Sequence, residues 1–333
     1  MATLTTTTGT SHAAILGVGA YRPTRIVPNS EIVDAIESSD EWVQQRSGIK
    51  ERRIAGDDET VQSMSVAASR IALERAGVEA RQIDCVVVAT VSHMMQTPAI
   101  ATAIAHELGT EHAAAFDISA ACAGFCHAVG MANDFIRGGT AQHVLVIGVE
   151  KLSDITDFTD RGTAFIFADG AGAVVIGPSE TPGIGPVVWG SEGEHFDHIR
   201  QVEDWRDVIA SDKPSMPHLT MQGNAVFRWA AFSMAKVGQE ALDRAGVSAD
   251  ELDCFVPHQA NMRIIDALAR SMKLPDTVKI ARDIAQMGNT SAASVPMALE
   301  RMIADGEATS GDTALLIAFG AGLAYAAQVV VVP

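Results

Sequence analysis

The chain has 333 residues, 47% of them hydrophobic, with 24 Lys and Arg against 41 Asp and Glu for a formal net charge of −17. That length exceeds one small core and predicts two domains or one large duplicated one, and the acidic excess argues against nucleic acid and anionic membrane surfaces as partners. Four cysteines, Cys85, Cys122, Cys126 and Cys254, fit neither a disulfide framework nor a zinc set, and no stretch reaches the roughly 20 apolar residues of a membrane span. The threonine-rich start, Met1 to Ser11, lacks the basic and apolar segments of a signal peptide, so a soluble, cytoplasmic protein is expected.

Residues 1–13 are expected to form a disordered or extended tail. An apolar strand from Ala14 to Gly19 leads to the turn Tyr21-Arg22-Pro23 and to a helical segment opening near Ser30, and Ser39 to Ile49 predicts a short helix closed by Gly48. Helix Val61 to Ala76, strand Cys85 to Thr90, helix Ala99 to Leu108, strand Ala114 to Ile118, helix Cys122 to Arg137 and strand Val144 to Val149 then alternate. Such alternation predicts an α/β fold with a mainly parallel sheet and crossover helices. Pro178 to Gln222, rich in Pro, Gly and acidic residues, is expected to be a surface excursion with strands such as Pro186 to Trp189 and no part in the chemistry.

The segment beginning Ala72-Leu73-Glu74-Arg75-Ala76-Gly77-Val78 recurs 169 residues later as Ala241-Leu242-Asp243-Arg244-Ala245-Gly246-Val247, each copy followed by an acidic residue, a cysteine and an apolar strand. The strand at Val144 likewise recurs at Ala314. Matching offsets at both ends of the unit predict two duplicated halves, residues 14–178 and 179–333, related by a pseudo-twofold axis. The offset sets Cys122 against the loop Met287 to Ser294 and His258 against the strand end at Ala89, so one site would draw on both halves.

Three segments carry candidate chemistry. In Asp117-Ile118-Ser119-Ala120-Ala121-Cys122-Ala123-Gly124-Phe125, small residues surround a cysteine at a predicted helix start, where unpaired N–H groups and the helix dipole favour a thiolate. A buried packing cysteine is the plainer alternative. His258 follows a buried strand and precedes a helix, where α/β sheets place ligand-contacting groups, although a helix cap would look the same. Asn289, after Gly288, suits either a site donor or an N-cap, and Phe319-Gly320-Ala321-Gly322 can offer backbone N–H groups to an oxyanion.

The contexts DISAACAGF around Cys122, VPHQANMR around His258 and GNTSAAS around Asn289 resemble, in order and over Ala14 to Val332, the β-ketoacyl-acyl-carrier-protein synthase III family of the thiolase superfamily. The resemblance implies the five-layered α-β-α-β-α thiolase fold, a homodimer and a decarboxylative Claisen condensation. In that reaction Cys122 carries the acyl group from an acyl-CoA, His258 and Asn289 assist decarboxylation of malonyl-acyl-carrier protein, and the N–H groups of Cys122 and Ala321 form the oxyanion hole. Many relatives have glycine where this chain has Ala321. The resemblance further implies CoA contacts at Trp42, Arg46, Arg161 and Asn224, and carrier-protein contacts at Gln259, Ala260, Asn261, Met262 and Arg263, within a local basic patch that includes Arg228 and Lys273. It implies an acyl pocket at Met95, Thr97 and Phe319, the last where the family has a phenylalanine thought to favour decarboxylation, and neither a metal nor a cofactor beyond the two thioester substrates.

Thr97 stands where acetyl-preferring relatives carry phenylalanine, which implies branched or longer primers. No cysteine follows Cys254, against a degradative thiolase; Asn289 replaces the second histidine of elongating ketoacyl synthases; and the Ala89 to Val91 segment lacks the glutamate of a 3-hydroxy-3-methylglutaryl-CoA synthase. A type III polyketide synthase using malonyl-CoA, and a non-catalytic acyl-CoA or carrier-protein binding module, remain as alternatives.

Overall fold

The computed structural model describes residues 3–333. In chain order its first part contains β1 (His12–Tyr21), β2 (Arg25–Pro28), α1 (Asp40–Ser47), β3 (Glu51–Ile54), α2 (Val61–Ala76), β4 (Cys85–Ala89), α3 (Ile100–Leu108), β5 (Ala114–Ile118), α4 (Gly124–Arg137), β6 (Val144–Lys151) and β7 (Asp169–Ser179). The remainder contains β8 (Val188–Ser191), β9 (Ile199–Gln201), α5 (Trp205–Ala210), β10 (Leu219–Met221), α6 (Gly223–Ala245), β11 (Cys254–Pro257), α7 (Met262–Ser271), β12 (Lys279–Ile280), α8 (Ile284–Met287), α9 (Ser294–Ala304), β13 (Thr313–Gly320) and β14 (Ala324–Val331).

Two five-stranded sheets carry the architecture, one ordered β1-β7-β6-β4-β5 and the other β12-β11-β13-β14-β8. Read in the opposite direction the second order repeats the first, with β11, β13 and β14 standing for β4, β6 and β7. In both, three strands run parallel (β5-β4-β6 and β12-β11-β13) and the other two pairs are antiparallel, so each sheet is mixed and not mainly parallel as expected. Strands such as Val86-Val87-Val88 and Leu315-Leu316-Ile317 are apolar at every position because both sheet faces are covered.

Alternate side chains divide those faces. Val86, Val88, Leu145 and Ile147 join the residues of α2 and α3 in one outer core, while Phe255, Leu315 and Ile317 join α6 and α7 in the other. Val87, Val146, Val256 and Leu316 point inward onto α4 and α9, which lie between the sheets. The result is five layers, α2/α3, sheet, α4/α9, sheet, α6/α7.

Local chemistry sets the helix ends. Thr60 and Ser63 cap α2 reciprocally, each side chain bonding the other's backbone N–H. Ser39 accepts from the Trp42 N–H to start α1, and Gly48 ends that helix at φ 78°. The helical segment expected near Ser30 is a short 3-10 turn at Asn29–Glu31 followed by irregular turns. Ahead of β1, Thr7 and Gly9 hydrogen-bond to Gly138 and Arg137 at the end of α4; Met1 and Ala2 lie outside the described residues. Among the described residues no helix is long and apolar enough to cross a membrane.

Candidate active site

A tight 3-10 turn, Ala121–Ala123, links β5 to α4 and holds Cys122. Ala121 takes φ 45°, a left-handed conformation uncommon outside glycine. The helix expected to start at Cys122 therefore starts at Gly124. On the other side of the sulfur lies the end of β13, where a Cβ on Gly320 would sit 2.8 Å from Cys122 Cβ and 3.0 Å from its Sγ. Only glycine lets that strand approach so closely.

Burial pushes the Cys122 thiol up to about 12, with the Glu150 carboxylate adding to the rise. The nearby Ser291 hydroxyl and the residue's own N–H pull the other way without overcoming burial. Burial thus favours the thiol, against the thiolate expected from a helix start. Its proton must leave when the sulfur reacts.

His258 is 2% exposed and burial lowers it to about 3, so the ring is neutral. Its Nδ1 lies 2.6 Å from Ser294 Oγ, which also accepts from the Gln259 N–H at 3.3 Å. That acceptance leaves the Ser294 hydroxyl proton for Nδ1, and the ring's own proton is assigned to Nε2. Asn289 Oδ1 accepts from the Ser291 N–H at 2.9 Å, which leaves its amide NH₂ uncommitted. The Asn289 backbone is locked to the first half, donating to Ile166 and accepting from Ala168, both at 2.9 Å. Two neutral donors, one from each of two loops of the second half, thus serve one site.

The sulfur stands where two cavities meet. One, of about 470 Å³, runs between the Thr90–Gln96 loop, the end of β5 and the excursion residues Ile199, Trp205 and Leu219. The second, of about 280 Å³, is lined by Trp42, Arg46, Arg161, Asn224, Phe227 and Arg263, and also by His258, Asn289 and Phe319. Cys122, Phe167 and Ile199 belong to both. The excursion expected to be surface structure alone is therefore a wall of the site, because β9 and β10 pair with each other and turn apolar side chains over it.

Trp42, Arg46 and Arg161 come together at the mouth of the smaller cavity, with the guanidinium carbons 5.5 and 5.0 Å from the indole centroid. Asn224 is exposed at the start of α6, and Arg263 lies over the Phe227 ring at 5.0 Å. Ala321 opens the turn after β13 and lines the larger cavity beside Cys122.

Other expected positions differ. Gln259 is 1% exposed, its amide donating to Pro257 and Ala281 and accepting from the Ile284 N–H, so its side chain cannot reach a docking protein. Asn261 is spent capping α7 and bonding the Arg46 carbonyl, Ala260 and Met262 are half-buried, and Arg263 alone of the five is exposed. Arg228 and Lys273 are exposed, but Lys273 lies beyond the far end of α7 from Arg263, so the basic patch is spread out.

Of the acyl-pocket residues, Met95 lines the larger cavity. Thr97 is exposed on the loop beyond the cavity rim and Phe319 lines the smaller cavity, edge-on to His258 at 5.6 Å. Phe319 therefore belongs with the donors. Glu150, Ser291 and Ser294 were missed by sequence reasoning. The one available signal was their place at strand and helix ends beside the repeat-matched segments, where polar residues interrupt apolar runs.

The chain is similar along most of its length to proteins of one family. Residues 116–193 match the family model for 3-oxoacyl-[acyl-carrier-protein (ACP)] synthase III, and residues 242–332 match the model for its C-terminal region. A β-ketoacyl-[acyl-carrier-protein] synthase III of Streptomyces glaucescens is 58% identical over 325 residues, 98% of each chain. The chain belongs to the β-ketoacyl-acyl-carrier-protein synthase III family. A mycobacterial member from Mycobacterium avium is 54% identical over 333 residues, covering 100% of this chain and 99% of its own. Among solved structures, the priming β-ketosynthase of the R1128 polyketide biosynthetic pathway superposes with a TM-score of 0.96 at 47% identity, covering 98% of both chains. Family membership makes the chain an acyl-transferring condensing enzyme with the thiolase-type fold.

Proposed function

We propose that the chain initiates fatty acid synthesis by condensing an acyl-CoA primer with malonyl-acyl-carrier protein through an acyl-Cys122 intermediate. The observation that carries this reading is the convergence of the Cys122 sulfur with two neutral donors, His258 and Asn289, where two cavities join. In the first half-reaction Cys122 Sγ bonds to the primer carbonyl and the carbon–sulfur bond to CoA breaks. In the second, the malonyl carboxylate leaves as carbon dioxide and its bonding electrons pass to the thioester oxygen. His258 Nε2–H and Asn289 N–H then stabilise the enolate.

Neutral donors suit this step, since they meet negative charge only as it develops and do so away from water. The enolate carbon attacks the acyl-cysteine, with the Cys122 and Ala321 N–H groups receiving the oxyanion. Expulsion of the sulfur gives the 3-oxoacyl carrier protein. The reaction as written needs no metal or further cofactor.

Arg46 and Arg161 at the smaller cavity's mouth suit CoA phosphates, Trp42 the adenine and Asn224 the pantetheine arm. Arg263 is the carrier-protein contact best supported by exposure. The larger cavity, about 470 Å³, supports primers longer or more branched than acetyl. We read the enzyme as a cytoplasmic homodimer, supported by β5, an edge strand free to pair with its copy, and by exposed Met94 and Met95 on the adjoining loop.

Mass spectrometry of the protein after acyl-CoA treatment, followed by addition of malonyl-carrier protein, tests the sequence of events. An acyl adduct on the Cys122 peptide that discharges into 3-oxoacyl carrier protein is expected. Turnover with malonyl-CoA alone would favour a polyketide-type enzyme, and absence of the adduct would remove the nucleophile assignment.

A further inference from the structure

Glu150 is a carboxylate with no cation beside it. It ends the apolar run of β6, is 0% exposed and takes part in no salt bridge among the described residues. Oε2 accepts from Thr90 Oγ at 3.3 Å, the Val91 N–H at 3.1 Å and Ser92 Oγ at 2.5 Å. Oε1 accepts from a single group, Ser291 Oγ, at 3.0 Å. Ser291 lines the larger cavity beside Cys122, the turn that carries it packing against the Ala121–Ala123 turn.

A hydroxyl that donates to a carboxylate keeps lone pairs to receive a proton from the thiol on its other side. Sulfur, hydroxyl and carboxylate therefore stand in sequence, the hydroxyl bonded to the carboxylate and sharing the cavity wall with the sulfur. The other titratable groups nearby do not offer the same service. His258, held neutral by burial, is a poor base, and the Lys151 ammonium is turned away to the Gly56 carbonyl.

We propose that Glu150, acting through Ser291, takes up the Cys122 proton as the acyl group arrives. As Cys122 Sγ bonds to the primer carbonyl, its proton passes to Ser291 Oγ while the Ser291 hydroxyl proton passes to Glu150 Oε1. The CoA sulfur, leaving from the same point with the electrons of its broken bond, recovers that proton by the reverse shift. When condensation later expels the cysteine sulfur, Glu150 and Ser291 return a proton drawn from solvent.

Electrostatics supports the transfer. Burial raises the Glu150 carboxyl to about 7, and its negative charge is one of the influences that hold the Cys122 proton in place. Protonating Glu150 removes that opposition at the moment the sulfur needs to be anionic. Two buried acids that feel each other's charge share one proton more readily than they ionise together.

This inference rests on Cys122 being the acylated residue, so the test measures both. Single-turnover acylation with radiolabelled acyl-CoA, followed from about pH 5.5 to 9, would compare the wild type with Glu150→Gln and Ser291→Ala, with the labelled peptide identified in each. The wild-type rate should rise through an apparent pKa near 7. Both variants should lose that rise and acylate about 10²-fold more slowly at neutral pH.

Ser291→Ala cuts the line while leaving the Thr90–Ser92 bonds to Glu150. Alanine already occupies the matching left-handed position at Ala121, so this variant remains decisive if Glu150→Gln does not fold. An unchanged inflection, a loss of one constant factor at every pH, or a wild-type Ser291→Ala would each overturn the relay. Label on a residue other than Cys122 in the wild type would instead overturn the underlying nucleophile reading.

Discussion

The turn at Ala121–Ala123 and the turn at Ser291–Ala293 are the same piece of backbone used twice. Each links the sheet side of its half to a central helix, and each opens on a non-glycine residue with φ near 45°, 45° at Ala121 and 48° at Ser291. Their side chains differ where it matters. The first copy places Cys122 next, the second Ala292; the first begins its helix with Gly124, the second with Ser294, which bonds His258.

The strand that backs each turn differs in a complementary way. Glu150 at the end of β6 meets Ser291, and Gly320 at the matching end of β13 meets Cys122. One frame was specialised for a sulfur and stripped of bulk around it. The other was filled with hydrogen-bonding groups, and the site needs both.

The largest effect that sharpens this contrast is loss of the sulfur. Cys122→Ala should abolish the acyl adduct in intact-mass measurements. Adding Ala292→Cys should not restore it, because Ala292 is 1% exposed beneath Gly148. Removal of one donor should cost less. His258→Ala and Asn289→Ala should each slow decarboxylation of malonyl-carrier protein by about 10²- to 10³-fold, read as carbon dioxide release, while Cys122 still accepts the acyl group.

Gly320→Ala tests the stripped side. Its Cβ would force β13 or Cys122 to move, so a destabilisation of about 1–3 kcal/mol in urea unfolding and a slower acylation are expected. Ser294→Ala should be milder, about 10-fold in decarboxylation with little change in acylation, since it frees the His258 tautomer without removing the ring.

The contrast can also be read from a pair of opposite pH slopes in stability. His258 is depressed to about 3, so the unfolded chain takes its proton below the ordinary value of 6.5 while the native one resists, and its contribution to stability falls as pH drops from 6.5 toward 3. Glu150 is raised from 4.5 to about 7, so its contribution falls as pH rises between those values. Urea midpoints against pH should flatten at the acid end in His258→Asn and at the neutral end in Glu150→Gln. Identical curves for both variants would show that the two copies are not electrostatically distinct.

Much of this was legible in the sequence. The limits of α2 and β5 follow from capping residues and apolar runs, and the duplication followed from the Ala72 and Ala241 segments, which belong to α2 and α6. Cys122, His258 and Asn289, the proposed nucleophile and donors, were singled out by their places at strand and helix ends and by the family resemblance of their contexts, and the structure brings all three to one pocket. What sequence reasoning missed depends on contacts between distant segments.

Gln259 looks like a surface polar residue until Pro257, Ala281 and Ile284 close around its amide. Thr97 and Phe319 could be ranked as pocket residues, but only the path of their backbones decides which cavity, if any, they reach. The Pro178 to Gln222 excursion has loop composition, yet its β9–β10 ribbon folds back over the sulfur. Glu150 has no sequence signal beyond ending an apolar strand, since its partner Ser291 is 141 residues away.

The bridge between Phe167 and Asn289 makes the two halves one mechanical unit at the site. A substitution that shifts the Asn289 loop moves the first half's backbone with it, so neither turn can be re-engineered without readjusting the other.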